Sequence, residues 1–121
     1  MTDKDANKTT LVKLGQILIE EGDQGTEMFY LNDGLLGVYR NEGTEKEVQI
    51  GTIYPGEVVG EMSFLDGHKR CARVKVLKDS EVTIIPYAKF ESMMGSMPAW
   101  HSALVNTLLG RLRSANKHIV I

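Results

Sequence analysis

One carboxylate and one arginine nine positions apart, Glu61 and Arg70, carry the most specific chemistry in this sequence. They lie in the segment Gly56-Glu57-Val58-Val59-Gly60-Glu61-Met62-Ser63-Phe64-Leu65-Asp66-Gly67-His68-Lys69-Arg70-Cys71-Ala72-Arg73-Val74. Its pattern is a strand ending at a glycine, a lone acid, room for one helical turn, a Gly-containing turn, an arginine, two small residues and another strand. A helical turn exposes free backbone N–H groups at its start. Their dipole suits an anionic oxygen. Gly60 lets a ligand approach the backbone closely. Arg70 offers a planar donor fork matched to phosphate oxygens. Glu61, when ionised, can only accept hydrogen bonds, so it suits a hydroxyl donor such as a ribose. Cys71 and Ala72 are small and leave space beside the arginine. These residue types at this spacing describe a pocket for a sugar phosphate.

Other reactive side chains do not assemble into a site. His68, His101 and His118 lie far apart without metal-ligand spacing, so no metal is expected. Cys71 has no histidine or aspartate in a catalytic pattern near it, and no enzyme is expected. Asp23, after Gly22, reads as a turn cap. The only cysteine excludes an internal disulfide and fits a reducing compartment. Lys69, Arg70 and Arg73 form at most a small basic patch in a chain of formal net charge −2, so no nucleic-acid partner is expected. No apolar run reaches the ~18 residues of a membrane span, and Met1-Thr2-Asp3-Lys4-Asp5 has no secretory character. A cytoplasmic protein without a membrane partner is the expectation. Charge is uneven: ten acids against Arg40 and Lys46 from Glu20 to Glu61, and nine basic residues against four acids from Asp66 onward. Two solvated faces account for this, the alternative being that the basic half holds something anionic.

The elements that must hold the pocket follow from punctuation and period. The chain has 121 residues, enough for one domain, with 42% hydrophobic and 25% charged residues. Glycines recur every few residues through the first two-thirds, separating short Val-, Ile-, Leu- and Tyr-rich runs. Strands are predicted over Gln16–Glu20, Met28–Leu31, Leu35–Arg40, Lys46–Ile53, Cys71–Leu77 and Glu81–Ile85. Alternation shows in Val74 and Val76 about Lys75, and in Val82 and Ile84 about Thr83. Asn41-Glu42-Gly43-Thr44 reads as a hairpin turn. The fold class is mainly β, an antiparallel β-roll of jelly-roll type over about 9–85. After Pro86 the period changes. A short helix is predicted over about 86–94 and a long one over about 98–117, with Trp100, Leu104, Leu108, Leu112, Ala115 and Ile119 as its apolar face. Residues 1–8 are expected to be a frayed terminus and 9–121 a single domain.

With these motifs in view, the sequence resembles the cyclic nucleotide-binding domain family of catabolite-activator-type regulators, protein kinase A regulatory subunits and cyclic-nucleotide-gated channels. The family's phosphate-binding cassette, Phe-Gly-Glu followed about eight residues later by Arg, a small residue and Ala, becomes Val59-Gly60-Glu61 and Arg70-Cys71-Ala72 here. Upstream, Lys13-x-Gly15, Glu21-Gly22-Asp23-x-Gly25, Met28-Phe29-Tyr30, Gly34 and Leu36-x-Val38 follow in the family's order. The resemblance spans about residues 11–116. It implies that Arg70 binds the exocyclic oxygens of the cyclic phosphate and that Glu61 accepts from the ribose 2′-hydroxyl. Gly60 and the backbone N–H groups near Met62 and Ser63 complete the phosphate site, with Cys71 and Ala72 beside the phosphate or base. The last helix closes over the base near Ala115 and Asn116. The implied ligand is cAMP, with cGMP possible. The implied function is a sensor that signals to an effector protein, of unknown identity, through movement of the C-terminal helix, and that forms a homodimer through it. The alternative is a nucleotide-independent β-roll interaction or dimerisation module. The sequence departs from the family at Val59, Lys69, Arg73 and Gly110, none of which removes a ligand-contacting group. Ending just after the final helix, it is expected to be a sensor unit without the DNA-binding domain of the bacterial regulators.

Overall fold

The alternation around Val74, Val76 and Val82 places one face of a long strand in the core, and the fold is organised around that strand. A computed structural model describes residues 8–40, 45, 47–61, 63 and 70–119, with the side chains of residues 113 and 116–119 outside the description. The strands are β1 (Thr9–Val12), β2 (Ile17–Ile19), β3 (Glu27–Arg40), β4 (Val48–Ile53), β5 (Val58–Val59) and β6 (Arg73–Pro86). Two helices follow, α1 (Tyr87–Gly95) and α2 (Ala99–Ile119). All pairings are antiparallel. β6 is flanked by β3 on one side and by β1 and β2 on the other, while β3 also pairs with β4 and β5. The expected mainly-β roll with two C-terminal helices is therefore what forms.

The long β3–β6 ribbon is the main difference from the predicted strands. Each of its strands runs unbroken for 14 residues where the sequence reading has two short ones. Asn32-Asp33-Gly34 and Lys78-Asp79-Ser80 look like turns. Instead they face each other across the ladder, where the register shifts at Asp33 and Leu35. Such shifts mark β-bulges, which absorb turn-forming residues without ending a strand. Gly34 lies so close to the Ser80 side chain that a Cβ would collide with it. Ser80 is buried there but satisfied: its hydroxyl donates to the Lys78 carbonyl at 2.6 Å and accepts from the Leu35 N–H at 3.1 Å. β1 is absent from the predicted set. The expected hairpin turn at 41–44 lies outside the described residues, although Arg40 and Val48 pair on either side of it. Residues 1–7 also lie outside them.

Burial of Val12, Ile19, Phe29, Leu31, Leu36, Val59, Val74, Val76 and Val82 builds one core inside the roll. Side chains of this size each contribute about 1.5–3 kcal/mol when fully buried. α2 contributes no residue to this core. Its half-buried positions are His101, Ser102, Val105 and Leu109, whereas Trp100, Leu104 and Leu108 are exposed by half or more. The predicted apolar face is thus rotated. Positions four apart drift about 40° per step around a 3.6-residue helix, so a stripe at that spacing winds from one side to the other. Gly110 continues the helix without a break.

Candidate functional site

The cassette begins where β5 runs into Gly60. Gly60 has φ 95°, a conformation that favours glycine. A Cβ there would also meet Arg70 Nη1 at 2.9 Å and the Met28 Cα at 3.3 Å. Glu61 and Ser63 are helical, as the expected single turn requires, and Ser63 is buried. Met62, a predicted backbone donor, lies outside the described residues, as do 64–69. The segment re-emerges at Arg70, whose backbone is fixed on both sides: its N–H donates to the Asp23 carbonyl at 2.6 Å, and its carbonyl accepts from the Gly22 N–H at 2.9 Å. The Gly22-Asp23 pair, which reads as a turn in the sequence, also positions the arginine.

Arg70 is only 8% exposed. Its Nη2 donates to the Glu27 carbonyl at 2.6 Å. Its Nη1 donates to the Gly60 carbonyl at 3.3 Å and to the Tyr87 hydroxyl at 2.9 Å. All three acceptors are neutral oxygens. Among the described residues these three use three of a guanidinium's five N–H groups, and two donors have no acceptor there. Among the described residues no acid forms a salt bridge with Arg70. Gly25 packs directly on the guanidinium, where a Cβ would collide with Nε and Cζ.

Tyr87, the first residue of α1, completes this arrangement. Its hydroxyl donates to the Gly60 carbonyl at 2.6 Å. Burial raises its pKa above the ordinary 10.0, opposed by the positive charge of Arg70 and by hydrogen bonds from Ser63 and Arg70. Glu61 is also held above its ordinary carboxylate value of 4.5, by burial, with a backbone hydrogen bond acting in the opposite direction. A buried acid of this kind gains from a hydroxyl that donates to it.

These groups border a cavity of about 200 Å³. Arg70, Glu61, Gly60 and Ser63 form its polar side, and Ile19, Val38, Ile53, Val59 and Val74 its apolar side. Apolar walls with a few convergent polar groups are the usual form of a small-molecule site. Cys71 and Ala72 line it as well, Cys71 exposed and Ala72 buried. Leu112 brings α2 to its wall. Asn116 belongs to the same helix, but its side chain lies outside the described residues. Arg73, a departure from the family pattern, forms an ion pair with Glu20 at 2.5 Å. Among the described residues no group of His, Cys, Asp and Glu could hold a metal. His68 and the side chain of His118 lie outside them.

The structure thus brings Gly60, Glu61, Ser63, Arg70, Cys71 and Ala72 to one cavity. Around Arg70 it adds Tyr87, Gly25 and the Glu27 carbonyl, which hold the guanidinium and were not singled out from the sequence. Gly25 stands in the Gly22-Asp23-x-Gly25 motif, but only its contact with Arg70 gives the physical reason. Tyr87 has no signal in residue spacing.

A β-roll with a glycine-entered cassette and a buried arginine beside an apolar cavity defines a class of small-molecule-binding domain. The cyclic nucleotide-binding domain family model matches residues 10–97, and the chain belongs to that family. It is similar to the cyclic AMP receptor protein of Thermus thermophilus, 26% identical over 102 residues that make up 84% of this chain and 47% of the relative. The EAL enzyme Bd1971 in its halfsite-occupied form superposes with a TM-score of 0.78 at 26% identity, covering 92% of this chain and 99% of that one. The cAMP-bound form of that enzyme gives 0.74 at 25% identity, covering 93% and 30%. The chain spans less than half the length of the curated relatives it matches. No described helix is long and apolar enough to cross a membrane.

Proposed function

We propose that this domain is a cAMP sensor in which Arg70 binds the cyclic phosphate, Glu61 the ribose 2′-hydroxyl, and the apolar wall with Leu112 the base. The observation that carries the reading is Arg70 itself, a buried cation whose three partners among the described residues are neutral oxygens. Burying an uncompensated charge is costly. A phosphate supplies the compensation and uses the two remaining donors. Glu61, raised by burial, would gain a donor from the ribose. The cAMP named for the Thermus thermophilus receptor and for one bound form of Bd1971 supports a cyclic nucleotide, and since Bd1971 also has a cGMP-bound form, cGMP is the competing ligand. In this reading Gly60 and the N–H groups at Met62 and Ser63 hold the phosphate, Cys71 and Ala72 lie beside it, and Asn116 approaches the base.

Leu112 lies on the cavity wall, so a bound base would touch α2 and bias its position. The exposed Trp100, Leu104 and Leu108 side of the helix supports a homodimer through α2. Isothermal titration with cAMP and cGMP tests the ligand assignment. Saturable heat with cAMP, lost in Arg70→Met, is expected. No heat with either nucleotide at millimolar concentration would leave the β-roll as an interaction module instead.

A further inference from the structure

The Tyr87 hydroxyl touches the cassette at both of its ends. It donates to the Gly60 carbonyl at 2.6 Å, where the cassette starts. It accepts from Arg70 Nη1 at 2.9 Å, where the cassette ends. Tyr87 is also the first residue of α1, and its backbone N–H is fixed to the Thr26 carbonyl at 3.0 Å. Its hydroxyl is therefore a junction at which cassette and helices meet on one oxygen atom. The N-terminal end of α1 has no side-chain cap and no acidic residue in its first turn. That end is held by the β6 pairing of Pro86 with Glu27 and by the Tyr87 N–H, and the Tyr87 hydroxyl ties it to the cassette.

We propose that Tyr87 is a positioning residue that holds the Arg70 guanidinium ready for the phosphate and carries the guanidinium's reorientation on binding into α1 and α2. The inference rests on the reading that Arg70 takes the phosphate. An anion drawing on Arg70 competes with the neutral acceptors for its charge. The Gly60 carbonyl and the Tyr87 hydroxyl share Nη1, so a shift of the guanidinium changes both bonds together. α1 follows because its first residue owns one of them. α2 follows because Ser102 of α2 donates its hydroxyl to the Met94 carbonyl of α1 at 2.9 Å, and the Met97 and Ser96 N–H groups close the bend between the two helices.

Tyr87→Phe separates this role from general stability, because it removes one oxygen and keeps the ring. The chain has a single tryptophan, Trp100, in the first turn of α2, which reports on the helix. Three measurements are made on the full chain: cAMP affinity by titration calorimetry, the Trp100 emission change at saturating cAMP, and amide exchange over residues 87–95. In the wild type, cAMP is expected to change both the emission and the exchange. In Tyr87→Phe, affinity is expected to fall about threefold to tenfold, and both responses at full saturation to drop by at least half. A structural role alone would alter affinity or melting but leave the saturated response intact. Tyr39→Phe, whose hydroxyl donates to Gln49 away from the cassette, is expected to respond as the wild type does. If Tyr87→Phe fails to fold, Ser102→Ala removes the link from α1 to α2 and must lower the saturated Trp100 response. Binding heat with an undiminished response in these variants would overturn the proposal, as would wild-type binding heat with no helix response. Absence of wild-type binding heat would instead remove the cAMP reading and this inference with it.

Discussion

Replacing Arg70 with methionine separates ligand binding from structural support. The side chain is 8% exposed, so solvent screens it little. In the ligand-free protein the substitution removes three hydrogen bonds, to Gly60, Glu27 and Tyr87. Each such bond contributes about 1 kcal/mol net, more when one partner is charged. Against that, a buried ion without a counter-charge costs several kcal/mol, and an apolar replacement of similar volume is often neutral or stabilising. The opposed effects nearly cancel, leaving a net change within about 2 kcal/mol. For a domain of this size about 1 kcal/mol moves Tm by roughly 4–8 °C, so the ligand-free melting point should change by no more than about 15 °C in either direction. Binding has no such cancellation. Removing the cation from a buried charge pair costs about 2–5 kcal/mol, or roughly 30-fold to several-thousand-fold in Kd. Calorimetry with cAMP beside thermal melting gives both numbers. Arg70→Lys should keep the charge but bind more weakly, since an ammonium loses the fork. Unchanged affinity in Arg70→Met would refute the phosphate assignment. A collapse of the ligand-free fold would show that Arg70 serves the structure first.

Gly25→Ala places a methyl group against the Arg70 guanidinium and pushes it off its three acceptors; cAMP affinity should fall at least about tenfold and the ligand-free melting point should fall as well, measured by the same two methods. Glu61→Gln tests burial and ribose together. As pH rises past 4.5 the unfolded chain loses the Glu61 proton first, because the folded value is raised, so this group lowers stability up to its folded pKa and holds it lowered above that. The ligand-free Gln variant should therefore melt above wild type at about pH 7, with the gap closing near pH 4, and should distinguish cAMP from its 2′-deoxy analogue less than wild type does. Leu108→Glu should convert a dimer to monomers in sedimentation at about 100 μM, since paired carboxylates would be buried without partners; a purely monomeric wild type with and without cAMP would remove the dimer.

Much of the site was legible because its signal is local. Gly60, Glu61, Arg70, Cys71 and Ala72 lie within one stretch of chain, so residue types and spacing alone suggest a sugar-phosphate pocket. The roll was legible from glycine punctuation and from Val74, Val76 and Val82. What stayed hidden depends on contacts across the sequence. Tyr87 reaches Gly60 and Arg70 only because β6 delivers α1 beside the cassette. The two 14-residue strands were read as four because Asn32-Asp33-Gly34 and Lys78-Asp79-Ser80 carry turn chemistry that a bulge uses equally well. On α2, Trp100, Leu104 and Leu108 are as apolar as Val105 and Leu109. Composition alone does not show which of the two rows packs inward.

The β3–β6 ribbon also sets the order in which the protein can be made. Its pairs run from Tyr39↔Arg73 at one end to Glu27↔Pro86 at the other. The stretch 41–72, with β4, β5 and most of the cassette, is the loop that this ribbon closes. A zipper starting at Tyr39↔Arg73 closes the shorter loop and advances outward toward Glu27. The opposite start fixes a longer loop, though closure entropy grows only slowly with length. Either way the pairing is distant in sequence, a property of slow-folding chains. Glu27, whose carbonyl holds Arg70, and Tyr87, whose hydroxyl holds it too, lie at or just beyond the far end of that zipper. On a ribosome, the arginine emerges before β6 and Tyr87, and its full set of acceptors exists only once the ribbon has closed. The arginine's set of acceptors is thereby completed only with the whole roll, so the geometry of the candidate site reports that the ribbon has closed.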